Sequence, residues 1–164
     1  MPAGSSLPVT TTAPHAQALA LADFIRREIP LARAMDLRLE HYDGDRLGLA
    51  LPLAPNVNDK GCAFGGSLVS AMTLAGWALV ELALRQRGED CDVFVAESGV
   101  RYLQPVWNDF LAEARLADGA GWATFFDTLA ARGKARIEVA CEVPGTDGKP
   151  AAVLEARFVA KRRG

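Results

Sequence analysis

Pro55-Asn56-Val57-Asn58-Asp59-Lys60-Gly61-Cys62-Ala63-Phe64-Gly65-Gly66-Ser67 leads directly into Leu68-Val69-Ser70-Ala71-Met72-Thr73-Leu74-Ala75-Gly76-Trp77-Ala78-Leu79-Val80, and from Gly61 to Val80 the chain carries no charge for 20 residues. That length meets the requirement for a membrane span. The run, however, contains Gly61, Gly65, Gly66, Ser67, Ser70, Thr73 and Gly76, and it lacks a one-sided basic flank. It reads as a helix buried on nearly all sides by its own protein, and no membrane span is expected. A helix with no polar face needs a sheet that curls around it.

The flanking sequence supplies such a sheet. Leu37, Leu39 and His41 alternate with Arg38, Glu40 and Tyr42, and Leu47, Leu49, Leu51 and Leu53 alternate with Arg46, Gly48, Ala50 and Pro52. Asp43-Gly44 turns one strand into the other. Beyond the long helix, which closes near Gly88, Asp92 to Gln104 forms a strand ended by Pro105, with Asp109 to Leu116 as its expected antiparallel partner. Trp122, Phe125, Phe126 and Leu129 share a helical face before Gly133, so a short helix is inserted there. Ile137 to Val143 and Ala152 to Ala160 form a second hairpin around Thr146-Asp147-Gly148. Upstream, Leu19, Leu21, Ala22, Ile25 and Ile29 predict an amphipathic N-terminal helix stopped by Pro30. The class is α+β, with about six antiparallel strands around one long helix.

A chain of 164 residues fits one domain, expected over residues 18–164 behind a disordered leader at 1–17 that is rich in Pro, Ser, Thr and Ala. A net charge of −2, with only the tail Lys161-Arg162-Arg163 locally basic, excludes a dedicated nucleic-acid binder. Three cysteines, at 62, 91 and 141, match neither a disulfide framework nor a zinc site, so a reduced cytoplasmic setting and no metal are expected.

The polar loop before the long helix is where chemistry is expected. The first amides of a helix have no intrahelical acceptor, and Gly65 and Gly66 present no side chain to block approach, so an oxygen gaining negative charge can be held there. Glycines at such a place equally serve close packing of a helix under a sheet.

Asn58-x-x-Gly61-x-x-Phe64-Gly65-Gly66 followed by a small-residue helix resembles the hotdog-fold acyl-thioesterases of the 4-hydroxybenzoyl-CoA and phenylacetate-pathway type. The wider string from Asn56 to Leu68, with Ala75-Gly76-Trp77 beyond it, is closer still to the YiiD-type thioesterase domain. This resemblance implies a hotdog fold, a homodimer or tetramer, and an acyl-CoA or acyl-carrier-protein thioester as substrate, with no cofactor besides that thioester. It also implies that Asn58 positions the thioester or the water and that the Gly65 amide polarises the carbonyl.

The departures from the family pattern bear on mechanism. Phe64 stands where relatives often carry histidine, and Thr73 where they carry an aspartate or glutamate two turns into the helix. Neither is a strong base. Gly66, Ser70, Thr73 and Trp77 fall near one helical face, so Thr73 can orient a water or bond back to the Val69 carbonyl. Asp59 and Glu97 are the carboxylates left as general base, the one a turn residue beside a helix N-terminus and the other interrupting an apolar strand. Cys62 has no histidine beside it, and a small buried apolar role fits it better than nucleophile. Phe64, Ser67, Ser70 and Trp77 are candidates for lining the acyl site, and Arg101, Lys60 and Arg136 for meeting the carrier's phosphates. Water-driven thioester hydrolysis is the primary expectation, and a non-catalytic acyl-thioester binding protein is the alternative. A dehydratase would need histidine in the site, and the chain offers only His15 and His41.

Overall fold

The computed structural model describes residues 13–164. Of the expected leader, residues 1–12 lie outside the described residues, and helix α1 (Ala13–Glu28) begins five residues earlier than the spacing predicted. Its buried face is Ala18, Leu21, Ala22 and Ile25, whereas Leu19 is 46% exposed. Pro30 does not simply end the helical region. It holds Ile29 in an extended conformation, which breaks α1, and then opens the short helix α2 (Pro30–Ala34) at the position where a missing N–H costs nothing.

Strands β1 (Arg38–Tyr42) and β2 (Arg46–Leu51) form the expected hairpin, with Leu47, Leu49 and Leu51 buried. A bulge at Glu40 separates the pairs Leu39 with Leu49 and His41 with Gly48. One extra residue reverses the faces beyond it, so Tyr42 enters the core in place of His41. At the turn, the Asp43 carboxylate accepts N–H bonds from Arg46 at 2.7 Å and Asp45 at 2.9 Å, and these hold its pKa below the usual carboxylate range. A lowered folded-state pKa gives stability that is present above the unfolded value of about 3.9 and lost as pH falls through the folded value. Asp43→Asn is therefore expected to lower the urea midpoint at neutral pH and to match the wild type near about pH 2, where both side chains are neutral. Equal midpoints at neutral pH would contradict this.

The long helix α3 (Gly65–Gln86) follows a single 3-10 turn at Ala54–Asn56. It is long and apolar enough to cross a membrane by length and composition, yet no residue from Gly65 to Leu84 is exposed, because the sheet wraps it. Gly76 marks the closest approach, where a β-carbon would sit 2.9 Å from the Phe158 ring and 3.3 Å from Cys141 Sγ.

Four strands complete the sheet: β3 (Cys91–Tyr102), β4 (Phe110–Leu116), β5 (Lys134–Pro144) and β6 (Pro150–Arg162). The inserted helix α4 (Trp122–Arg132) lies between β4 and β5 and ends at Gly133 in the left-handed conformation. All pairs are antiparallel, in the order β1-β2-β4-β5-β6-β3. The expected pairing of β3 with β4 is corrected here: β4 joins β2 and β5, while β3 crosses the molecule to pair with β6. A helix that must be enclosed separates the first hairpin from the rest, and β4 closes over it to rejoin β2. The resulting curled sheet around a central helix is the hotdog fold.

Candidate functional site

Hydrogen bonds of the backbone fix the loop that opens α3. Val57 and Ala63 form an isolated bridge, the Asn58 N–H donates to the Cys62 carbonyl at 2.8 Å, and the Gly61 N–H donates to the Asn58 carbonyl at 3.2 Å. Ala63 donates to the Val106 carbonyl at 2.8 Å and Phe64 to the Asn56 carbonyl at 2.7 Å, tying the loop to the segment after β3. Asn56, absent from the candidate residues, anchors the other side. Its buried side-chain amide donates to the carbonyls of Met35 at 2.9 Å and Pro52 at 2.8 Å.

Phe64 is the N-cap of α3 and offers no side-chain acceptor, so the helix begins uncapped. Its carbonyl accepts from Ser67 at 2.9 Å and Leu68 at 3.1 Å. Among the described residues, the amides of Gly65 and Gly66 meet no acceptor. Two adjacent unpaired N–H groups at the positive end of a 22-residue helix can hold a developing oxyanion.

Tyr102, at the end of β3, is the residue sequence reasoning missed. Its hydroxyl donates to the Gly65 carbonyl at 3.3 Å, and its ring stands beside Gly65. A strand ending in an aromatic residue three positions before a proline was the only available sign. Tyr102 with Leu103, Gln104, Pro105 and Val106 faces Ala63, Gly65 and Leu68 across an open cleft of about 340 Å³. Among the described residues, no carboxylate or imidazole lines it.

The structure brings some candidates together here and removes others. Asn58 is half-buried, with Oδ1 accepting from the Lys60 N–H at 2.8 Å and Nδ2 donating to Cys62 Sγ at 3.2 Å. One N–H and one oxygen lone pair remain free for a ligand. Asp59 is a turn residue, its side chain 80% exposed and paired with Lys60 at 3.0 Å. The Phe64 ring lies over Gly66, filling the space a side chain would take there. Ser67 is buried in the first turn of α3. Gly66, Ser70, Thr73 and Trp77 form a half-buried stripe along the helix. Within it, the Thr73 hydroxyl donates back to the Val69 carbonyl at 2.8 Å, and the Trp77 indole N–H donates to the Val93 carbonyl at 3.0 Å, pinning α3 to β3.

Glu97 and Arg101 do not reach this site within the chain. A bulge between Val95 and Glu97 inserts Ala96 and turns Glu97 onto the convex face of the sheet, opposite Arg157, to which it is paired at 3.4 Å. An unbroken strand would have carried Glu97 to the helix side along with Val93 and Val95. Ser98, paired with buried Ala156, takes that side instead. Arg101 lies on the convex face with Arg46, Arg115, Glu113, Glu142 and Glu155.

Thiol chemistry is disfavoured at the core cysteines. Burial pushes the Cys141 thiol up to about 12 and raises that of Cys91 as well, so both stay protonated at neutral pH.

Comparison with known proteins agrees with the fold. The family described as "Putative thioesterase (yiiD_Cterm)" matches residues 18–162. A protein of unknown function from Chlorobaculum tepidum TLS superposes with a TM-score of 0.85 at 32% identity, over 92% of this chain and 97% of that one. A structure from Shewanella oneidensis, titled a putative thioesterase, gives a TM-score of 0.78 at 28% identity over 89% of this chain and 99% of the other. A thioesterase from Haemophilus influenzae shares the fold with a TM-score of 0.67 at 14% identity, over 87% of this chain and 88% of that one.

Proposed function

We propose, starting from the fact that this chain belongs to the YiiD_C thioesterase family, that it hydrolyses the thioester of acyl-CoA or acyl-carrier protein by direct attack of water. The observation that carries this reading is the pair of adjacent unpaired amides at Gly65, which lines the open cleft, and Gly66 next to it. The thioester carbonyl oxygen accepts from these amides, water adds to the carbonyl carbon, and collapse of the tetrahedral oxyanion breaks the C–S bond and expels the thiolate. The free N–H and lone pair of Asn58 orient the water or the thioester. Asp59 is the carboxylate of the same loop but does not line the cleft, so the attacking water's proton reaches it through solvent. A solvated carboxylate paired with Lys60 is a weak base, so most of the rate enhancement comes from polarising the carbonyl. The acyl group runs along the stripe of Gly66, Ser70 and Thr73 toward Trp77, with Phe64 at its mouth.

A homodimer fits this reading. β3 ends the sheet order, so among the described residues one edge of this 12-residue strand has no neighbour, and Phe94 and Val95 on it are 59% and 45% exposed. An apolar edge of that length is covered by a second copy of the strand.

The absence of a carboxylate or imidazole from the cleft favours a second reading, a protein that binds the thioester without turning it over. Thiol release from acyl-CoAs of graded chain length separates the two. Turnover is expected in the wild type, with kcat/KM lowered about tenfold or more in Asn58→Ala, as follows from losing one oriented hydrogen bond of about 1.4 kcal/mol. Glu97→Gln, on the opposite face of the sheet, is expected to leave the rate unchanged. Tight binding with no thiol released would establish the second reading and exclude hydrolysis.

A further inference from the structure

Away from the thioester cleft, the end of α4 and the start of β5 enclose a second cavity of about 590 Å³, lined by Thr128, Arg132, Lys134, Ala135 and Arg136. Lys134 and Arg136 are exposed on one face of β5 with buried Ala135 between them, and Arg132 faces them from the last turn of α4. Across the sheet, Lys134 is the direct partner of Lys161 on β6. Like charges directly opposite on neighbouring strands repel, and proteins usually offset them with an acid nearby. Here the acids around the cluster are already engaged: Glu138 and Glu97 by Arg157, Asp90 and Asp92 by Arg163, and Glu89 by Arg162. Asp127 on α4 is exposed and does not line the cavity. Among the described residues, none of the four cations has a carboxylate within ion-pair distance.

We propose that this cavity binds a phosphate-bearing small molecule, held by Arg132, Lys134 and Arg136, with Lys161 the cross-strand neighbour of Lys134. A phosphate supplies several oxygens at once to cations that converge from two elements, and the arginine forks match its geometry. The volume suits a small ligand. Lys134 aligns through Lys161 with Asp92, ten residues along β3 from Tyr102. One of those ten is the bulged Ala96, so nine strand steps of about 3.3 Å, about 30 Å along the sheet, keep the ligand clear of the same chain's Gly65 amides, and the assignment stands apart from the thioesterase reading.

The test uses inorganic pyrophosphate as probe, with calorimetry and thermal unfolding on the full chain. Pyrophosphate is expected to bind the wild type and raise its Tm by about 3 °C or more at saturation. The double variant Lys134→Ala/Arg136→Ala, changed at exposed positions only, is expected to bind at least about tenfold more weakly and lose the Tm increase. Without ligand its Tm should equal or exceed that of the wild type, because the cross-strand repulsion is gone. ADP and free coenzyme A, titrated in parallel, identify the source of the phosphate. Tighter binding of coenzyme A than of ADP would mark the carrier of a thioester, and the reverse order a separate nucleotide. No pyrophosphate binding to the wild type, or equal binding to the double variant, would overturn the proposal.

Discussion

Gly65→Pro is expected to lower thioester hydrolysis by about 10²- to 10³-fold while leaving the fold intact. A backbone amide is ordinarily beyond the reach of substitution, but this one stands at the first position of α3, where proline is well tolerated. The preceding residue, Phe64, already has φ −65° and ψ 132°, the extended conformation that a following proline favours. A β-carbon at Gly65 would meet the Tyr102 ring at 3.4 Å, an ordinary contact. The substitution therefore removes one N–H donor with little strain, and the restricted unfolded chain should keep Tm at or above its original value. Gly65→Ala keeps the donor and is expected to keep the rate. Steady-state thiol release with Tm measured beside it decides the matter: a proline variant retaining more than about a tenth of wild-type activity would show that the Gly65 amide does not hold the oxyanion.

Gly76→Val carries the largest expected cost to stability. The β-carbon alone would lie 2.9 Å from Phe158 Cε2, and valine adds two methyl groups to a site whose neighbours, Phe158 and Cys141, are buried on all sides. Neither neighbour has an open direction in which to move. Alanine here gains about 1 kcal/mol in helix propensity against the overpacking penalty, whereas valine gains less and clashes more. A loss of about 3 kcal/mol is expected, with Tm lowered by about 10 °C at fixed protein concentration. Gly99→Val serves as comparison, since nothing lies within 4 Å of a β-carbon there. Equal urea midpoints for the two variants would contradict this packing account.

Period and punctuation in the sequence carry much of this architecture. The leucines of β2, the uncharged run of α3 and the Gly133 stop of α4 each state a local preference, and each element formed where its pattern lay. Strand order was not legible in the same way, because β3 is followed directly by β4 in the chain yet pairs with β6. Enclosing α3 decides that pairing, and no local pattern encodes it. The glycine-rich loop pointed to the unpaired amides at Gly65 and Gly66, since a helix start without a capping side chain can be read from residue types alone. Tyr102 could not be found by the same route. It meets Gly65 only through the crossing of β3 over the helix entrance. The sequence left Glu97 either inward or facing solvent on its strand, and the bulge that puts it on the convex face is announced by nothing in Val95-Ala96-Glu97.

That bulge decides which chemistry the helix side of the sheet can carry. With it, the carboxylate of Glu97 is spent on an arginine at the convex surface. Deleting Ala96 would leave Glu97 on the convex face, directly after Val95, whereas pairing Val95-Ala96-Glu97 without the bulge would turn Glu97 toward the helix, into the place Ser98 now holds. A shift of one position in register along β3, with no side chain changed, would then supply an acid to a face that now has none from this strand.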